Sequence, residues 1–280
     1  MKKNALLIAM ALLFIPAFAF SQTNNSVPAA PIILKNKNAL YVGAKAGLSI
    51  PSLQAGESKN VWNKNYKSIL RVYASVFGEY QISKRFSIQA ELAYAAQGGM
   101  RNDIQPFAVP AEYLDIFQLA FNTKNDYVFA NLKSTSHIDF LQVPIMLKYA
   151  YPIAFNNKLS VYVLAGPYFG YMVSAKQIVK SADLHVYSTE ELSSEIPQDL
   201  VKGFFGESID TTINSYPELN KFNMGIQGGI GFQYQLGKGK VFIEGGGNYG
   251  FLYLQKGDDH GKNNIGAGTV LVGYALNLRN

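Results

Sequence analysis

The sequence contains no cysteine, one tryptophan and three histidines. Without cysteine there is no disulfide staple and no thiolate for metal, redox or nucleophilic work. Charge is scarce too: Asp, Glu, Lys and Arg make up 16% of the residues, against roughly 25% in soluble domains. Beyond the N-terminus no apolar run approaches the ~20 residues that a membrane helix needs, which excludes helical spanning. The cations are scattered, so a formal net charge of +6 does not point to nucleic acid, which wants Lys and Arg gathered on one face. No spacing of carboxylates or histidines suggests a metal ion, and no cofactor is expected.

What is present begins with a targeting pattern. Met1-Lys2-Lys3-Asn4 is followed by an apolar run from Ala5 to Phe20, broken by Pro16, and then by Ala19-Phe20-Ser21-Gln22. A basic tip, a short apolar stretch and small residues before the junction predict a signal peptide over 1–21, cleaved after Ser21. Its removal takes Lys2 and Lys3 and leaves a net charge of +4, two below the full chain's +6. Residues 22–38, rich in Pro, Asn and Ser, read as a flexible lead-in. The remainder, 39–280, is long enough for one large β domain.

Lys221–Arg279 sets the pattern for that domain. From Phe222 to Leu236 every even position is apolar or Gly (Phe222, Met224, Ile226, Ile230, Phe232, Tyr234, Leu236). Every odd one is polar or Gly (Asn223, Gln227, Gln233, Gln235). Period-2 alternation over that length means a strand with two unlike faces, longer than the usual five or six residues. Similar patterns predict strands at 39–50, 67–82, 85–98, 136–151, 159–175, 240–255 and 264–279. Ser83-Lys84, the link at 152–158 and Gly237-Lys238-Gly239 are short turns, while 99–133 and 176–220 are long connections. Connections alternate long and short, so with eight strands the short turns and both chain ends fall on one rim. That is the arrangement of an outer-membrane barrel. Ten strands remain open if a loop hides a hairpin.

Parity alone does not separate a soluble barrel, apolar inside, from a membrane barrel, apolar outside. The second face decides. Facing water, it would be rich in Lys, Glu and Asp. Instead it is mostly Gly, Ala, Ser, Gln and Asn, with isolated charges at Lys45, Arg71, Glu79, Glu91, Lys148 and Glu244. Small residues suit the interior of an eight-stranded barrel, and mixed charges there are expected to pair as a lumen polar network. Aromatics near strand ends (Tyr80, Phe86, Tyr149, Tyr151, Tyr249, Phe251) fit interfacial girdles. The expected fold is therefore all-β: a single closed, antiparallel, up-and-down transmembrane barrel with long extracellular loops, spanning the outer membrane.

Several strands have a familiar form. Phe140-Leu-Gln-Val-Pro-Ile-Met-Leu-Lys148-Tyr149 resembles the L-x-I-P-L-L-L-K-Y strand of the PorT-like outer-membrane barrel family. Ala165-Gly166-Pro167-Tyr168-Phe169-Gly170 resembles its A-G-P-Y-x-G strand. Gly225–Tyr234 and Phe242–Gly250 resemble its G-x-x-x-G-x-G-x-x-Y and E-x-R-Y-x-x-G pair. The resemblance covers Leu40 to Asn280, is concentrated after His137, and implies fold and location without implying one activity. Gly246 or Gly247 stands in place of the family's Arg, so Glu244 needs another cation, Lys45 or Arg71. The C-terminus, Leu278-Arg279-Asn280, lacks the terminal aromatic of many barrels.

Candidate chemistry is thin. His137 and Asp139, with Ser134 and Ser136 nearby, are the residues that a lipid-modifying enzyme would use, but no second motif selects a nucleophile. The acidic stretch within 176–220 (Asp183, Glu190, Glu191, Glu195, Asp199, Glu207, Asp210, Glu218) has no EF-hand spacing and reads as a solvated loop. Short helices are predicted at Ser188–Glu191, Pro197–Lys202 and Pro110–Phe121. In-strand glycines such as Gly43, Gly47, Gly225, Gly229 and Gly245–Gly247 have no following helix and are not phosphate loops. The sequence reading is a non-enzymatic envelope protein, structural or binding a partner through loops 99–133 and 176–220. The alternative is a narrow channel, with Gly229, Gly231 and Gly246 leaving room inside.

Overall fold

The computed structural model of the protein describes residues 39–55, 65–109, 111–121, 126–155, 157–189, 194–257 and 262–279. The signal peptide and lead-in expected over 1–38 lie outside the described residues.

Among the described residues ten strands form one antiparallel sheet: β1 Leu40–Ala55, β2 Arg71–Gln81, β3 Phe86–Ala108, β4 Tyr127–Ala154, β5 Leu159–Ser181, β6 Val186–Tyr187, β7 Ile209–Asn214, β8 Phe222–Leu236, β9 Gly239–Gly250 and β10 Asn263–Asn277. Eight of them close a ring in the order β1-β2-β3-β4-β5-β8-β9-β10, with β10 paired back onto β1 from Tyr41↔Asn277 to Ala55↔Asn263. β6 and β7 are short additions on the edges of β4 and β5, outside the ring. Closure matters in lipid, where an open edge leaves backbone groups unsatisfied.

The side chains point as the alternation requires. Met224, Ile230, Phe232 and Val272 are 40–60% exposed on the outer surface, and Gln227 is buried inside. On β4 Leu141, Val143, Ile145 and Leu147 face outward, while Gln142, Met146 and Lys148 are buried. Aromatics mark the ends of this apolar band. Phe86 contacts Tyr149 with ring centroids 5.0 Å apart at the short-turn end, and Tyr249 contacts Phe251 at 6.1 Å at the other. Gly237, at φ +58°, supplies the left-handed conformation for the tight β8–β9 turn. The start of β1 and the end of β10 share that rim: the Leu278 N–H donates to the Leu40 carbonyl at 2.8 Å, and the Asn277 N–H to the Lys238 carbonyl at 2.9 Å.

Three strands overrun the barrel. β4 is 28 residues long, a path of about 90 Å at ~3.3 Å per residue, where roughly 9–11 tilted residues cross a membrane. Beyond Gln97, β3 stays paired with β4 as far as Ala108↔Tyr127, and β5 follows β4 up to Lys180↔Lys133. The connection 99–133 thus begins and ends as sheet, and 176–220 holds the end of β5 together with β6 and β7. Two short helices join this extension, α1 (Leu114–Phe121) and α2 (Gln198–Phe204). α2 begins after Pro197, and α1 buries Phe117, as the helical spacing predicts. Ser188 lies in a bend, and residues 190–193 lie outside the described residues. Val109, Phe117, Val128, Leu132, Val186 and Val201 form the centre of a core belonging to this head alone. Tyr113 packs edge-on against Phe204 at 5.2 Å, which ties α1 to α2.

Candidate functional site

The barrel interior is closed by a layer of paired charges. Lys45 on β1 meets Glu91 on β3 at 2.8 Å and Glu244 on β9 at 2.7 Å. Glu79 on β2 meets Lys240 on β9 at 2.7 Å and Lys148 on β4 at 3.1 Å. All six side chains are at most 5% exposed. Three cations and three anions cancel, which a dry interior demands, since each uncompensated ion would cost several kcal/mol. Neutral groups fill the remaining valences. Tyr162 donates to Glu244 at 2.9 Å, Tyr73 and Gln89 donate to Glu91 at 3.2 and 2.7 Å, and Ser87 donates to Glu79 at 3.0 Å. The Lys148 ammonium also lies 4.0 Å from the centre of the Tyr162 ring.

Apolar packing seals what the charges leave. Phe77, Met146, Tyr162, Leu164 and Phe242 form one buried cluster inside the barrel. Aromatic rings take up space beside two of the inner glycines. At Gly231 a side-chain carbon would lie 2.5 Å from the Tyr162 ring, and at Gly43 one would lie 2.5 Å from Phe77. These glycines exist so that aromatic rings can lie flat across the strands beside them.

Lys45, Glu79, Glu91, Lys148 and Glu244 thus converge, and Lys45 is the cation that Glu244 takes in place of the absent arginine. Arg71 does not join them. It is the first residue of β2, near the long-loop rim, and pairs with Asp139 of β4 at 2.6 Å, with both side chains partly exposed. Tyr94 also hydrogen-bonds that carboxylate. Asp139 is therefore occupied by a guanidinium and a phenol, beside His137. The member that sequence reasoning missed is Lys240. Its parity with Phe242 and Glu244 was the available signal, obscured because it adjoins a turn.

The head carries one further cluster. His185 lies between Glu195 (Nδ1 to Oε1, 2.7 Å) and Asp183 (Nε2 to Oδ2, 3.2 Å), and Gln198 of α2 approaches Nδ1 at 3.2 Å. Hydrogen bonds to Glu195 and Asp183 hold the imidazole above its usual pKa. The cluster fastens the segment before β6 to the approach of α2. Among the described residues no group of three or more His, Asp or Glu is placed to hold a metal ion.

Known proteins resemble this architecture at low identity. Neisserial surface protein A is 12% identical over 85% of this chain and 96% of its own, with a TM-score of 0.35. OprG from Pseudomonas aeruginosa is 10% identical over 87% and 98%, with a TM-score of 0.38. A major outer membrane protein from Thermus thermophilus is 9% identical over 87% and 100%, with a TM-score of 0.40. No curated protein matches by sequence. The profile of the outer membrane protein beta-barrel domain matches residues 20–255, most of the chain. With an eight-stranded ring, an apolar outer surface and that match, the chain belongs to the outer membrane protein beta-barrel domain family and resides in the outer membrane.

Proposed function

We propose that the protein is a non-enzymatic envelope component of PorT-like type, in which the barrel is an anchor and the head is the working part. The observation that carries this reading is the separate core of the head, centred on Phe117, Val128, Val186 and Val201. A solvated loop needs no such core, whereas a surface that holds a partner gains from being ordered beforehand. The six compensated charges and the aromatic cluster inside the barrel support the same division, because a channel would need the space they occupy. By the orientation usual for such barrels, the long-loop rim and the head face the exterior. The partner is then an envelope or extracellular protein, contacted through 99–133 and 176–220.

The test combines two measurements on protein in intact envelopes and in planar bilayers. Deleting Ser188–Glu207 removes specific crosslinks to neighbouring envelope proteins while the barrel still migrates as a folded species in unheated gels. Bilayers containing the intact protein show no stable conductance steps. Unchanged crosslinks after the deletion count against the head as a docking surface, and regular open steps replace the reading with the channel.

A further inference from the structure

Two adjoining cavities lie between the charged layer of the barrel and the head. The outer one, about 390 Å³, is walled by the upper parts of β3, β4 and β5 and by the end of β7. The inner one, about 120 Å³, lies toward the start of β10. Tyr66, Gln177, Ser215, Leu219 and Gln255 line both, so the two form one stepped cup.

The cup carries few charges, and Lys176 on the inner wall is exposed. The one buried ion on its wall, Arg101, is engaged: its Nε donates to Asp103 at 2.7 Å and its Nη2 to the Ile104 carbonyl at 3.0 Å. Glu218 and Lys256 stand at the outer rim, where Lys256 donates to the Pro217 carbonyl at 2.6 Å. Inside, the hydroxyls and amides of Tyr66, Ser134, Ser136, Gln177 and Gln255 share the wall with apolar side chains. Apolar Leu132, Val179 and Leu219 lie among them.

Asn263 indicates what is missing. It is 2% exposed and lines the inner cavity. Its Oδ1 accepts from Gln255 at 2.6 Å, and its backbone N–H donates to the Gln255 side chain at 2.8 Å, so its orientation is fixed. Its Nδ2 has no protein partner. A buried donor left unmade costs about 1–3 kcal/mol, so an occupant that accepts a hydrogen bond there is favoured.

We propose that the cup binds a neutral polyhydroxylated molecule, a mono- or disaccharide, through the amides and hydroxyls around Gln177, Gln255 and Asn263. An ionised ligand is disfavoured because the buried charge, Arg101, is already engaged and the other charged lining residues, Lys176, Glu218 and Lys256, are exposed to solvent, so desolvating an ion there would go largely unrepaid. A fully apolar ligand would strand the Asn263 donor. Sugars match the mixture, presenting hydroxyls at their edges and C–H faces to Leu132, Val179 and Leu219. Volumes of several hundred Å³ are usual for sites of such ligands. The proposal is independent of the head as a protein-docking surface, because it concerns the enclosed interior and not the outer face.

Titration calorimetry on the full chain, folded in a detergent without a sugar headgroup, tests it. Glucose, N-acetylglucosamine, maltose and sucrose are the neutral probes, and gluconate is the anionic comparator. At least one neutral sugar binds saturably, with a dissociation constant at or below about 1 mM, and gluconate binds at least about tenfold more weakly. Leu219→Trp fills the cup and weakens binding about tenfold or more; Asn263→Leu weakens it about threefold to tenfold. Folding of each variant is checked by migration of the unheated protein. No saturable heat with any neutral sugar means water alone fills the cup and overturns the proposal. Equal or tighter binding of gluconate overturns it too, as does sugar affinity unaltered in both folded variants.

Discussion

Glu79 and Lys240 meet at 2.7 Å inside the barrel although 161 residues separate them in sequence. The contact joins β2 to β9 across β1 and β10, and Glu79 holds Lys148 of β4 with its other oxygen. One carboxylate thus balances two ammonium groups, while one ammonium, Lys45, balances two carboxylates.

Glu79→Gln therefore leaves two buried cations facing an amide. Removing one side of a buried pair typically costs about 3–5 kcal/mol. The variant is expected to unfold at correspondingly lower urea in detergent micelles. Converting Glu79, Lys148 and Lys240 together to Leu, Met and Met is expected to recover most of the loss. A triple variant no better than the single one would show that the pairs themselves supply net stability.

The outer surface gives a depth-dependent prediction. Ile230 is 55% exposed midway along β8, among residues that face acyl chains. Ile230→Arg is expected to cost about 2–4 kcal/mol of folding free energy in bilayers, as cations do near the midplane. Ile213→Arg, on the exposed β7 of the head, is expected to cost under about 0.5 kcal/mol, as an ordinary surface change. Equal costs at the two positions would contradict the placement of the lipid band.

A third prediction concerns the aromatic layer. Gly231→Ala brings a methyl 2.5 Å from Tyr162 and is expected to destabilise by about 1–3 kcal/mol through overpacking. Tyr162→Leu in the same chain removes the ring that the methyl strikes. A double-mutant cycle in reversible unfolding is expected to show coupling above about 0.5 kcal/mol. Additive costs would mean that the Ile243 carbonyl, which the methyl also meets, sets the cost there and not the ring.

The head is expected to respond to pH at His185. Its folded pKa is raised by Glu195 and Asp183, so protonation favours the folded cluster. The contribution is complete below the unfolded value of about 6.5 and is lost as pH rises through the higher folded value. Hydrogen exchange around 183–187 and 195–198 is expected to show more protection at about pH 6 than at about pH 8.5. His185→Asn is expected to flatten that difference, and a difference that persists in the variant would remove His185 as its source.

The barrel was legible in the sequence because lipid outside and a narrow interior impose opposite chemistry on alternate residues. Phe222–Leu236 displays that rule and is a single strand with those bounds. The head was not legible, because its strands lose the alternation. Ala95, Ala96, Gln97, Gly98 and Gly99 are all buried, on both faces of β3, so no period-2 signal survives where the barrel passes into the head. β7, Ile209–Asn214, is exposed almost throughout and reads as loop for the opposite reason. The lumen network was legible at five positions by parity. Arg71 shares the inward parity and still escapes, because a long side chain at a strand end is free to reach a partner at the rim.

The seam between β1 and β10 is what closes the cylinder. The strand that locks it, Asn263–Asn277, pairs with β1 on one side and β9 on the other. Without it, β1 and β9 each carry a bare edge that invites foreign strands. A barrel without Asn263–Asn277 is therefore a template for foreign pairing and not a smaller cylinder.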